Sequence, residues 1–252
     1  MSGLRCERDG DVLRITLARP ERRNAFDAAL IGELTAAFSG LGDARAVVLA
    51  GEGPSFCAGA DVEWQRAAIG LSYDENVADA TRLLRMLEAV DGCAAPVVCL
   101  VHGYALGGGS GLVACADIAV ASPDAVFGFS EVKLGIVPAV ISPFVLAKIG
   151  SAARRLFLTG ERFDAGTALR IGLVDEVADE PERRVEALLA EILSSGPSAA
   201  REAKLLVLRR PGREELPRIA ARLRTSEEGQ EGLRAFLEKR RPGWRDAPRR
   251  AP

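Results

Sequence analysis

At 252 residues, 48% hydrophobic and 27% charged, the chain has the composition of one large or two small globular domains. Its formal net charge of −2 leaves no basic field to attract nucleic acid or a membrane surface. No stretch is long and apolar enough to span a bilayer, and residues 1–8 lack the apolar core of a signal peptide, so a cytoplasmic protein is expected.

Residues 11–18 alternate in part, with Val12, Ile15 and Leu17 apolar and Arg14 and Thr16 between them, which predicts a half-buried strand. After a charged loop at 19–24, Asp27 is placed to cap a helix running to about residue 41. Leu30, Ile31, Leu34, Phe38 and Leu41 share one face of it. Residues 46–50 are a continuous apolar run of the kind found inside parallel sheets, and 51–60 is a loop. Ser72 and Glu75 have capping-box spacing; the helix they open is predicted to bury Val77, Ala80, Leu84 and Leu87. Pro96 opens a Val-rich strand ending at 101, and 110–116 is apolar enough for a buried helix.

Residues 117–121 and 125–129 predict two short strands, and 130–138 an irregular link. From 142 onward helix predominates, most clearly at 182–193, with Val185, Leu188, Leu189, Ile192 and Leu193 at helical spacing. Leu233, Phe236 and Leu237 form an apolar stripe on a last helix, suited to docking on a neighbour. Residues 240–252 predict a disordered, solubilising tail. Strands alternating with helices, then helices alone, predict an α/β fold with parallel pairing and a helical C-terminal region. The composition shift at 176–181 divides a core domain at 1–178 from a helical region at 179–252.

Cys6, Cys57, Cys93, Cys99 and Cys115 fall at no metal-ligand spacing and are expected to be reduced core thiols. The one histidine, His102, has no partner of the kind nucleophilic catalysis needs and is expected to be structural.

Chemistry concentrates in two loops and one carboxylate. Gly107, Gly108 and Gly109 lie between the 96–101 strand and the buried helix. Glycines there let backbone N–H groups approach a ligand, and a helix N-terminus adds partial positive charge. Such a turn serves either an anion or oxyanion site or tight packing. A second loop, Phe56-Cys57-Ala58-Gly59-Ala60-Asp61, follows the 46–50 strand in the same way. Loops leaving the same ends of parallel strands converge, so one N–H from each would form an oxyanion hole. Glu131 lies in a mostly apolar stretch. Partial burial would raise its pKa and suit it to acid/base work; the alternative is a surface Glu paired with Lys133.

Together these segments resemble the crotonase (enoyl-CoA hydratase/isomerase) superfamily over about 11–244. The matching motifs are Arg23-Asn24-Ala25, the 56–61 loop, Gly103-Tyr104-Ala105-Leu106-Gly107-Gly108-Gly109, and the segments 127–138 and 231–240. The resemblance implies a crotonase-like spiral of ββα units with a helical C-terminal trimerisation region, assembled as a homotrimer or a dimer of trimers. It implies an acyl-CoA thioester substrate, with no metal and no cofactor beyond the coenzyme A that the substrate carries. By the same resemblance Ala60 and Gly108 are the oxyanion donors and Glu131 is the acid/base. Arg22, Ala25, Ala58, Asp61, Val62 and Glu63 lie along coenzyme A, with Leu106 and Gly107 beside the substrate. Trp64 and Tyr73 either line the acyl pocket or pack in the core.

One position departs from the two-carboxylate hydratases. Their second glutamate would fall at Gly111. Glu131 alone must then take a proton from water and deliver one to C2, unless a bound water assists. A single glutamate is also the pattern of the family's isomerases, which move a double bond from C3 to C2. Against that, Trp64, Tyr73-Asp74-Glu75-Asn76 and Pro138-Ala139-Val140-Ile141-Ser142-Pro143 resemble hydratases of the methylglutaconyl-CoA or branched enoyl-CoA type. Hydration of a short, branched or dicarboxylic 2-enoyl-CoA is therefore the first expectation. Isomerisation is the second, and a non-catalytic acyl-CoA binding protein the third.

Overall fold

The computed structural model describes residues 2–246, so residues 247–252 of the predicted tail lie outside the described residues. A six-stranded sheet carries the fold. It contains β1 (Leu4–Asp9), β2 (Val12–Leu17), β3 (Ala46–Gly51), β4 (Val97–Val101), β6 (Ile118–Ala121) and β9 (Glu176–Val177), side by side in that order. β1 runs antiparallel to β2; the other pairings are parallel. The central strands β3, β4 and β6 read as continuous apolar runs because both faces are covered. Successive side chains alternate between faces. Val47, Leu49, Val97 and Cys99 enter the main core, which also receives Leu30, Leu34 and Phe38 of α1 (Ala28–Ser39). Ala46, Val48, Val98 and Val120 point the other way and are covered by Val185 and Leu189 of α8 (Pro181–Ser194). Burying one such side chain contributes about 1.5–3 kcal/mol.

A smaller sheet holds β5 (Tyr104–Leu106), β7 (Val126–Gly128) and β8 (Arg162–Asp164). The chain passes from the large sheet to the small one and back through a helix. β4 is followed by β5 and then by α4 (Gly108–Cys115), which leads into β6; β6 is followed in turn by β7. This ββα winding places the triple glycine after β5 rather than directly after β4, a correction to the expected order. Three residues, Tyr104–Leu106, are too short a run to show any periodicity. β1, β8 and β9 also went unpredicted: β1 is mostly exposed, and β8 and β9 are three and two residues long.

Asp27 caps α1 as expected, accepting from Leu30 N, and Ser72 and Glu75 form the capping box of α3 (Tyr73–Asp91). The buried stripe of α3 differs from expectation. Met86, Leu87 and Val90 are buried, whereas Val77 is 47% exposed and Ala80 is exposed too. The helix is 19 residues long and outruns the core, so its apolar contribution to the core comes from its C-terminal half, Leu83 to Val90. Cys6 is a further correction: it is exposed on β1, while the other four cysteines are buried.

Beyond α8, α9 (Pro197–Arg209) sends Lys204 into the interior, 7% exposed. Its Nζ meets Asp117 Oδ2 at 2.8 Å, and the same oxygen accepts from Val97 N at 2.7 Å. Asp117 thus ties the start of β4 to α9. Residues 243–246, expected in the tail, form a short helix, and Trp244 Nε1 donates to Ser194 O at 3.1 Å.

Candidate active site

Asn24 assembles the first part of the site. It is fully buried at φ 55°, a left-handed conformation that Asn tolerates. Its Oδ1 accepts from Arg19 N at 2.8 Å, and its Nδ2 donates to Glu52 O and Ser55 O. The 19–26 loop is thereby fastened to the loop leaving β3. Ala58 N then donates to Arg23 O at 2.9 Å, Phe26 N to Gly59 O at 2.7 Å and Asp61 N to Phe26 O at 2.7 Å. Phe26 and Ala60 form a parallel bridge in which the residues flanking Ala60 make both bonds. The N–H of Ala60 itself is turned away from Phe26.

The second loop lies against the first. Cys57 bridges Ala105, with Cys57 N donating to Tyr104 O and Leu106 N to Cys57 O. Gly59, at φ 94°, permits the approach: a Cβ there would stand 2.9 Å from Leu106 O. Gly108 packs on Phe26, where a Cβ would lie 2.8 Å from the ring. Gly107 caps α4 at φ 51° and ψ −119°, and its N–H is held by Gly128 O at 2.8 Å. Among the described residues, neither Ala60 N–H nor Gly108 N–H has a protein acceptor. For Gly108 that is the ordinary condition of a first helical residue, whose donor is left for something else.

Glu131 completes the group. It sits on a 3-10 turn (Ser130–Leu134), and a Cβ on Gly107 would lie 3.2 Å from its Oε1. Its Oε2 is the one carboxylate oxygen among the described residues that is buried with no hydrogen-bond partner. It makes no ion pair with Lys133. Burial pushes its pKa above the ordinary carboxylate value, against the pull of its own backbone N–H. Cys57 is not a competing nucleophile, since burial pushes its thiol up to about 12 and keeps it neutral.

The structure thus brings Ala60, Leu106, Gly107, Gly108 and Glu131 together. Ala25 is buried and Ala58 half-buried beside the same loops. Asp61, 5% exposed, caps α2 (Val62–Ala68) by accepting from Glu63 N and pairs with Arg22 at 3.0 Å and Arg19 at 3.5 Å. Burial pushes the Asp61 carboxyl up, but the Arg22 guanidinium and the Glu63 N–H outweigh it and hold it below the usual range. Val62 and Glu63 are exposed on α2, Glu63 pairing with Arg66. Trp64 is half-buried against the main core. Tyr73, the first residue of α3, is 82% exposed and does not pack in the core. His102 places Nε2 2.8 Å from Gly53 O, a loop-to-loop link.

Two contributors had no role assigned from the sequence, although Ile141 stands inside the 138–143 motif. Ser110 donates to Ala105 O at 2.6 Å and holds α4 to β5. Ile141 fills the space next to Gly111. Asn24 stood inside a recognisable motif, but its three hydrogen bonds join segments up to 31 residues apart.

The model of the enoyl-CoA hydratase/isomerase family matches residues 7–247. The chain belongs to that family. Solved structures agree on the fold. The enoyl-CoA hydratase of Shewanella pealeana is 38% identical with a TM-score of 0.90, each chain covered to 96%. AtuE of Pseudomonas aeruginosa is 39% identical with a TM-score of 0.92, the match covering 96% of this chain and 99% of that one. Among curated relatives, the cyclohexa-1,5-dienecarbonyl-CoA hydratase of Thauera aromatica is 33% identical over 265 residues, 94% of each chain. The crotonase-like α/β spiral expected from the sequence is the fold observed.

Proposed function

We propose that this chain hydrates the C2=C3 bond of a short, branched or dicarboxylic 2-enoyl-CoA. The observation that carries the reading is the buried, unpartnered Oε2 of Glu131 beside the N-terminus of α4. The thioester oxygen is received by the N–H groups of Ala60 and Gly108, neither of which has a protein acceptor. Ionised Glu131 takes a proton from water as the hydroxyl oxygen bonds to C3. The C2=C3 electron pair moves onto the thioester as an enolate, where the two amides stabilise it. The carboxylic acid then returns a proton to C2. Acid/base action of this kind contributes about 10²–10⁴-fold, and a single oxyanion donor about 10²–10³-fold.

Arg22, Ala25, Ala58, Asp61, Val62 and Glu63 are proposed to follow coenzyme A, with Leu106, Gly107 and Trp64 near the acyl end. The relative from Thauera aromatica, named for a cyclic acyl-CoA, supports a non-linear acyl group. Leu233, Phe236 and Leu237, at 46%, 80% and 77% exposure on α11 (Glu227–Leu237), support assembly as a homotrimer or dimer of trimers.

The test is incubation of purified protein with 2-enoyl-CoA thioesters, following loss of the enoyl absorbance and gain of one water by mass. Full activity in Glu131→Gln would contradict the mechanism. A second reading, isomerisation of a 3-enoyl-CoA, is favoured by the absence of any side chain at Gly111. It predicts a product of unchanged mass.

A further inference from the structure

Gly111 lies against Ile141. A Cβ on residue 111 would stand 2.6 Å from Ile141 Cγ2 and 3.1 Å from Ile141 Cβ, with Leu87 Cδ2 at 3.8 Å. The space beside Gly111 is therefore occupied rather than vacant. Gly108 and Gly111 are three residues apart on α4 and neighbours on its surface. The cap, Gly107, abuts Glu131, and four residues of helix advance roughly 6 Å. Ile141 thus lies about one helical turn from the cap that touches the Glu131 carboxylate.

Ile141 is also held firmly. It is 3% exposed, precedes α5 (Ser142–Ile149), and its carbonyl accepts from Val145 N at 3.1 Å. Pro143 follows within the first turn, and Pro138 is buried on the approach. A β-branched side chain is stiff at χ1, so the plug does not swing aside readily.

We propose that Ile141 is a specificity-determining residue: it closes the acyl end of the site, limits the length or bulk of the acyl group, and excludes any side chain from position 111. This rests on the acyl-CoA reading above. It follows that Gly111→Glu alone does not create a second carboxylate, because Ile141 stands in its path. Shrinking Ile141 opens space for a larger acyl group.

The experiment measures calorimetric dissociation constants of butanoyl-CoA and octanoyl-CoA, which need no turnover, with hydration of the matching 2-enoyl-CoAs read in parallel. Ile141→Ala is expected to improve octanoyl-CoA binding relative to butanoyl-CoA by about tenfold or more, the scale on which apolar pockets sense missing methylenes. Val145→Ala, a fully buried core position one turn along α5, is expected to lower Tm and leave that ratio unchanged. Gly111→Glu is expected to lose thermal stability, and Gly111→Glu with Ile141→Ala to regain part of it. If Ile141→Ala does not fold, Ile141→Val gives the same shift at smaller size. A folded Ile141 variant whose ratio moves less than about twofold overturns the plug. A shifted ratio without hydration supports the plug and contradicts the hydration reading. Binding of neither thioester overturns both.

Discussion

Gly107 abuts the carboxylate of Glu131: a Cβ on residue 107 would lie 3.2 Å from Oε1. The same residue holds φ 51° with ψ −119°, a combination that side chains resist. Gly107→Ala therefore crowds the acid/base and strains the cap of α4 by about 1–3 kcal/mol. The expected outcome is a folded protein with kcat lowered about a hundredfold, as a misplacement near 1 Å produces. Steady-state kinetics on a 2-enoyl-CoA, beside circular dichroism, check it.

Glu131 is held at a thermodynamic disadvantage. Its folded-state pKa is raised by burial. The folded state therefore favours the protonated form, and the group's contribution to stability is full below the unfolded pKa of about 4.3 and lost as pH rises through the folded value. Glu131→Gln removes this penalty. The variant is expected to melt above the wild type at pH 7, with the difference vanishing near pH 4. Melting curves across that range decide it. Activity moves in the opposite sense: kcat/KM of the wild type is expected to rise with pH, with an acid limb centred above the ordinary carboxylate value.

Much of the site was legible in the sequence because its parts are local. Asp27, Ser72 and Glu75 announce their helix starts within four residues, and the two glycine-bearing loops each follow a strand. The apolar neighbours of Glu131 signalled its buried setting. What was not legible depends on contacts distant along the chain. Ile141 meets Gly111 across thirty positions, and Asn24 binds Glu52 O and Ser55 O. The exposed first half of α3 was missed for a related reason: a helical period tells which residues share a face, and the extent of the core decides how much of that face is covered.

Asp61 links the loops to α2 by both cap and charge. Asp61→Ala removes the cap, about 1 kcal/mol, and leaves Arg19 and Arg22 without their shared carboxylate. Asp61 is held below the usual carboxylate range, so its contribution is present above the unfolded pKa and lost as pH falls through the folded one. Tm of the variant is expected to lie below the wild type at pH 7, with the gap narrowing on acidification below about pH 4.

The Lys204–Asp117 pair is the corresponding anchor at the opposite ends of the strands. Lys204→Met leaves a partly buried carboxylate unpaired and is expected to cost about 3 kcal/mol. Asp117→Asn added to it keeps an acceptor for Val97 N and is expected to recover part of the loss. Urea midpoints of the two variants and the wild type test the coupling.

Hydration by a single carboxylate is tested most directly by the mass of the product formed from a branched 2-enoyl-CoA by wild type and by Glu131→Gln. The predicted result is a hydroxyacyl-CoA heavier than substrate by one water with the wild type, and turnover lowered at least about a hundredfold in the variant. A product of unchanged mass, or a variant as active as the wild type, would contradict it.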